Sequence, residues 1–300
     1  MTQASGSNAK LHFIKEVTFG TTPATPTMQD IEYVSFDGAL DAPTLTDASL
    51  SSTRQVKSAR RGNPSTKGKL DIVMCPDNID WALEAVCQST FSTGVLKVGS
   101  TQTSYSLEQE FTDLTKFRVF TGVVLDSIAI ETTTDNYVTG SINFMGKTTS
   151  AFSGTSVATA VTPVTTKNKF YHEGGTFLEG GIAVGVFTNL SFELKNNSVS
   201  NKALGVTGVR SITAGKFTVT GTVTALFEST TIYDKFMNDT DSTMDFTLVS
   251  GAETLQFVFP KVKYTQASIP VRGDGPITVD LSFSAIYDDT AATSITITRV

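Results

Sequence analysis

Apolar and polar residues alternate with period two along much of this chain. Phe217, Val219, Gly221, Val223 and Ala225 interleave with Thr218, Thr220, Thr222 and Thr224. Ile277, Val279, Leu281, Phe283 and Ala285 interleave in the same way with Thr278, Asp280, Ser282 and Ser284. Successive side chains of a strand point to opposite faces, so each run sets one face on a core and the other in water. Shorter runs lie at 34–40, 70–74, 190–194, 255–259 and 295–297. Two stretches switch to helical spacing. Ile79, Ala82, Leu83 and Val86 form an i, i+3, i+4, i+7 stripe that Asp77 can cap. Ile232, Tyr233 and Phe236 share one side of a second stretch, with Ser229 or Thr230 as its cap. The pattern predicts an all-β protein with two short helices, each closely following a strand.

The spacing also predicts an internal duplication. An offset of 153 carries Gly68 onto Gly221, Leu70 onto Val223, Ile79 onto Ile232 and Leu83 onto Phe236. Upstream, a slightly larger offset carries Ser35-Phe36 onto Ser191-Phe192. Downstream, an offset of 139 carries Val119-Phe120 onto Val258-Phe259, Asp135-Asn136 onto Asp274-Gly275, and Ile142-Asn143-Phe144 onto Leu281-Ser282-Phe283. A longer loop in the first copy, in the Ser/Thr-rich stretch 88–110, accounts for the shorter offset. Alternation alone does not generate a helix after equivalent strands, so the helix carries the argument. The organisation expected is an N-terminal arm (1–30) with anchors Leu11, Phe13, Ile14 and Phe19, a first domain (31–148), a linker (149–169) and a second domain (170–300). The linker, with Pro163 among Ser, Thr and Ala, reads as unpacked.

Composition sharpens this picture. Roughly one residue in six is Thr, a branched residue that suits pleated surfaces. The net charge is −6 and the pI about 5.0, which argues against a dedicated nucleic-acid binder. No apolar run approaches the roughly 20 residues of a membrane span. The polar start, from Met1 to Lys10, does not read as a secretory signal, so synthesis in a cytoplasm is expected. Two Cys (Cys75, Cys87) and two His (His12, His172) are too scattered for a zinc site of usual spacing. No set of nucleophile, base and orienting group stands out, so neither an enzyme nor a cofactor is expected.

A few positions invite chemistry. The excursion 41–69 holds Arg54, Lys57, Arg60, Arg61, Lys67 and Lys69, whereas its counterpart 196–216 holds only Lys202, Arg210 and Lys216. The residues alone leave a solvated loop and a contact with DNA phosphates open. Cys75 and Cys87 read as free, buried thiols and Trp81 as a packing anchor. His172-Glu173, Asp288-Asp289 and Gly273-Asp274-Gly275 read as loops and turns without a metal or phosphate role.

Several stretches taken together resemble the tail tube proteins of long-tailed bacteriophages. In the first half these are 16–23 (Glu16-Val17-Thr18-Phe19-Gly20-Thr21-Thr22-Pro23), Ser52-Thr53-Arg54-Gln55, Ser106-Leu107-Glu108, Phe120-Thr121-Gly122 and 138–146, from Val138-Thr139-Gly140 to Gly146. In the second half they are Glu173-Gly174-Gly175, Leu190-Ser191-Phe192, Val219-Thr220-Gly221-Thr222, Phe259-Pro260-Lys261-Val262-Lys263 and Ser284-Ala285-Ile286-Tyr287-Asp288. Their order and spacing carry the resemblance. It implies tandem β-sandwich domains, each with a flanking helix, whose strands join those of neighbouring subunits into a ring-wide barrel around a channel. Rings of the family are commonly hexamers, so a duplicated chain implies a trimeric pseudo-hexamer, with a hexamer of chains as the alternative. It further implies stacking of rings through Arg54, Lys57, Arg60, Arg61 and Lys67, tape measure and tail terminator proteins as partners, and passage of DNA without specific binding. The site implied is the virion tail. A tandem β-sandwich adhesin or carbohydrate-binding module is the competing reading; it needs an aromatic face that one Trp and seven Tyr supply poorly.

Overall fold

The computed structural model describes residues 3–50, 52–76, 78–165, 167–183, 187–271 and 273–299. Its first half runs β1 (Ala9–Lys15), β2 (Thr27–Asp30), β3 (Ser35–Asp41), β4 (Thr44–Thr46), β5 (Ala59–Arg61), β6 (Ser65–Val73), α1 (Asp80–Cys87), β7 (Val95–Lys97), β8 (Tyr105–Phe111), β9 (Lys116–Thr133) and β10 (Thr139–Gly146). The short β11 (Thr148–Thr149) and β12 (Ala160–Thr162) lead into the second half. There follow β13 (Tyr171–Glu179), β14 (Ile182–Ala183), β15 (Phe187–Lys195), β16 (Val199–Asn201), β17 (Ser211–Thr213), β18 (Thr218–Leu226), α2 (Thr231–Met237), β19 (Ser242–Ser250), β20 (Glu253–Ser268), β21 (Thr278–Ala285) and β22 (Thr296–Arg299).

The alternation folds as expected, and the two halves share one connectivity. In the first, β3 pairs β6, β6 pairs β10, β10 pairs the second part of β9, and the first part of β9 pairs β8, which pairs β1. In the second, β15, β18, β21, β20, β19 and β13 repeat that path. Each long strand serves two sheets because an extra residue bends it. Phe144 faces Leu125 while Asn143 faces Ser127, leaving Asp126 over. Phe283 faces Tyr264 while Ser282 faces Gln266, leaving Thr265 over. A bulge kinks and twists its strand, and here both bulges sit at positions 139 apart.

The halves meet along one seam. Residues 189–195 of β15 pair antiparallel with residues 127–133 of β9, so the inner sheets merge into one wall ordered β3-β6-β10-β9-β15-β18-β21-β20. Among the described residues it does not close on itself within the chain. Outer strands cover one face of it: β2, β1, β8 and the first part of β9 on one half, and β13, β19, the first part of β20, β22 and β7 on the other. Between the layers lies one core, with Phe120, Phe192, Phe257, Phe259 and Phe283 fully buried.

The helices differ. Helix α1 buries Ala82, Leu83, Ala85, Val86 and Cys87, with Ile79 in the position before its first turn; Asp77, read as its cap, lies outside the described residues. Helix α2 begins after Thr230, whose side chain makes no cap bond, while the Ser229 hydroxyl accepts from the Thr231 N–H at 3.4 Å; the helix buries no residue. The segment read as an arm is built into the outer sheet. There β1 pairs β8 over seven residues, with Leu11 and Phe13 buried. The segment read as an unpacked linker carries β12, which runs parallel to β2. The open edge of β2 offers backbone partners that the linker's own polar side chains do not replace.

Candidate functional site

The alternation of each strand becomes a property of the whole wall. One row of directly opposed residues crosses all eight strands as Phe36, Leu70, Ile142, Ile128, Leu194, Val219, Ala285 and Val262. The adjacent row reads Ser35, Asp71, Ser141, Ala129, Glu193, Thr220, Ser284 and Lys263. The first faces the core, and the second is small, hydroxylated or charged. The next row on that side is polar too, from Glu131 through Ser191, Thr222 and Ser282 to Gln266. Charges of both signs stand on this face, including the ion pairs Lys69–Asp71 at 2.9 Å and Lys67–Asp41 at 3.1 Å. Burial also opposes the charge of Asp71, but hydrogen bonds from Ser141 and Ser35 and the Lys69 ammonium hold its carboxyl below the usual range. Such a face suits water or a polar partner rather than a packed apolar core.

Two edges of the wall are open among the described residues. At one end β3 pairs β6 alone; at the other, the end of β20 pairs β21 alone. Unpaired N–H and C=O groups on an edge invite another strand.

The basic residues divide. Arg60 and Arg61 lie on β5, opposite Leu45 and Thr44 of β4, and Arg54 and Lys57 lie in the loop joining these strands. All four are exposed, and among the described residues none forms an ion pair within the chain. Lys67 stands apart, on β6, paired with Asp41 on the polar face. Leu45, Leu50 and Val56 are more than half exposed beside the arginines, an apolar component the charge pattern did not signal. The matching hairpin of the second half, β16 and β17, is already occupied. Its Ile212 and nearby Val209 pack on Val124, Phe19 and Met145. Asn63 ties it further, accepting from the Gly208 N–H at 2.5 Å and donating to the Val206 carbonyl at 3.0 Å.

Two buried carboxylates hold the loops at the sheet ends. Glu16, just past β1, accepts from the N–H groups of Gly20 (2.7 Å) and Gly122 (2.8 Å) and from the hydroxyls of Ser104 (2.7 Å) and Ser106 (2.8 Å). Glu179, the last residue of β13, accepts from Lys235 (2.7 Å), Ser242 (2.6 Å) and Tyr264 (3.0 Å), and so ties α2 to the sheet. Burial, then the Glu179 charge, push the Tyr264 hydroxyl well above its usual pKa. Glu16 opens one of the stretches that carry the resemblance, and Glu179 is followed by Gly180 and Gly181, both with positive φ. His12 is buried, with Nε2 3.2 Å from Glu110 and Nδ1 3.3 Å from Asp30. Trp81 stacks on Phe13 with ring centres 4.4 Å apart, so it anchors packing. Cys75 and Cys87 are free and buried, and burial pushes the Cys87 thiol up to about 12. His172 packs beside the Tyr171 ring, and Asp288 accepts from the Ala291 N–H in a turn.

Residues 6–285 match a family model described as phage tail tube protein. No curated protein matches the chain.

Proposed function

The chain belongs to the phage tail tube protein family, and from that premise we propose that it self-assembles into stacked rings whose channel conducts DNA during ejection. It is a structural part of the virion tail, made in the host cytoplasm, and carries out no chemistry. The observation that supports this most is the pair of rows across eight strands, one apolar and one polar, on a wall that ends in two open edges. Three chains supply 24 such strands. At about 4.8 Å per strand they enclose a circle roughly 37 Å across, before strand tilt widens it. One chain closed alone would make an eight-stranded barrel with an interior filled by side chains. The trimer is therefore favoured, with the two tube domains at 31–148 and 170–300, the flanking segment 1–30, and 149–169 between them; six chains are the alternative.

In this reading the polar face lines the channel. Its mixed charges hold water against the wall and give passing DNA no basic stripe to grip. The hairpin of β4 and β5, with Arg54, Lys57, Arg60 and Arg61, reaches the next ring, where its unpaired cations meet acidic groups and Leu45, Leu50 and Val56 are covered. Lys67 sits at the root of this loop. Tape measure and tail terminator proteins are the partners expected inside and at the end of the tube. Negative-stain electron microscopy of the purified protein tests the reading: rings or tubes of uniform width are expected, and dispersed monomers at high concentration would overturn it.

A further inference from the structure

The seam inside the chain is a template for the seam between chains. The first wall strand of the second half, β15, pairs with the bent end of β9. Its counterpart β3 and the counterpart of that bent end, the end of β20, are the two open edges. The offsets between the halves are set by shared partners. Phe192 faces Gly221 as Gly38 faces Gly68, an offset of 154 between β15 and β3. The bulges at Asp126 and Thr265 set an offset of 139 between β9 and β20. Within the chain, Leu194 faces Ile128, Glu193 faces Ala129 and Phe192 faces Ile130. Shifted by these offsets, the same pairs become Leu40 with Ala267, Ala39 with Ser268 and Gly38 with Ile269.

We infer that the end of β20 in one copy pairs antiparallel with β3 of the next copy in this register, a head-to-tail contact that rests on the ring reading above. The chemistry of the two edges agrees with it independently. Leu40 and Gly38, on the core side of β3 and half-buried, meet Ala267 and Ile269, which are half-buried as well. Two residues on, Phe36 meets Val271, which is 72% exposed in the single chain. Ala39 and Ser268, both exposed, share the polar side. A slip by one residue would set Leu40 against Gln266 or Ser268 and carry the core side of one edge onto the polar side of the other. Helix α2 points the same way. Its counterpart α1 is covered by the second half, where Asn196 donates from Nδ2 to the Val86 carbonyl at 2.9 Å. Helix α2 lies beside the open edge with Met237 62% exposed, awaiting the equivalent cover from the next copy.

Paired cysteines read the register directly. Opposed strand residues have Cα atoms about 4.5–5.5 Å apart, within disulfide reach, whereas partners two residues out of register are about 7–8 Å apart and beyond it. The full chain carrying Ala39→Cys and Ser268→Cys is assembled, oxidised and run without reductant. The monomer band should give way to a covalent series ending at the chain number of the ring. The pair Ala39→Cys with Gln266→Cys should leave the monomer band as it was. Buried Cys75 and Cys87 do not compete, and the single-cysteine variants check that assembly persists. Rings without the first cross-link, or with the second alone, overturn this register and leave the tube reading standing. An unsubstituted chain that forms no rings overturns both.

Discussion

The ring of Phe283 on β21 lies over Gly221 on the neighbouring β18, and the ring of Phe144 on β10 lies over Gly68 on β6 in the same way. A Cβ at Gly221 would stand 2.5 Å from the Phe283 ring and 2.6 Å from the Ser191 carbonyl oxygen. The missing side chain is therefore what lets the phenyl ring sit flat in the core. Gly221→Ala and Gly68→Ala should each lose about 1–3 kcal/mol through overpacking. Phe283→Ala should lose about 3–5 kcal/mol. Denaturant titration reads both; glycine variants as stable as the parent would refute the packing argument.

These two glycines also explain what the sequence made legible. Their offset of 153, and the offset of 139 for Phe144 and Phe283, match the strand pairing residue for residue. Upstream, the match of Phe36 with Phe192 is two residues out along the strand, because Phe192 stands opposite Gly221 and Phe36 does not stand opposite Gly68. The two rings nonetheless meet equivalent partners: Phe36 lies 5.6 Å from Phe120, and Phe192 lies 5.3 Å from Phe259. A two-residue slip keeps a side chain on its face, so alternation cannot detect it. Long-range satisfaction of polar groups was equally illegible. Nothing near Glu16 in sequence announces Ser104, Ser106 and Gly122 as its donors, and nothing in the linker announces β2 as its partner.

Glu16 should matter more than an isolated carboxylate. Removing it leaves four donors without their acceptor at a 7% exposed site. Glu16→Ala should lose at least about 3 kcal/mol, and Glu16→Gln, which keeps one acceptor oxygen, an intermediate amount. Equal stability of all three forms in denaturant would remove the role assigned to this knot.

His12 should make stability depend on pH. Burial opposes its charge, but the facing carboxylates of Asp30 and Glu110 overcome this and raise its pKa above the usual imidazole value. A pKa raised on folding contributes stability that is fully present below the unfolded value, about 6.5, and is lost as pH rises through the folded value. The stability margin of the parent over His12→Gln should therefore shrink as pH climbs from 6 to 9. A margin that is flat or grows over that range contradicts the charge pairing.

The basic hairpin should be dispensable for folding and needed for length. Arg60→Glu with Arg61→Glu changes two exposed residues on β5 and should leave the thermal midpoint within a few degrees of the parent. Tubes should become short or be lost as like charges meet at the ring contact. Tubes of normal length from this variant in electron micrographs would refute the stacking role.

Native mass spectrometry of the smallest closed assembly tests most directly whether copies of this chain complete one another's sheets. The account predicts a species of three chains, each of 32.0 kDa, that persists at protein concentrations where rings are seen. A chain that stays monomeric under those conditions contradicts it, and a closed species of six chains contradicts the pseudo-hexamer.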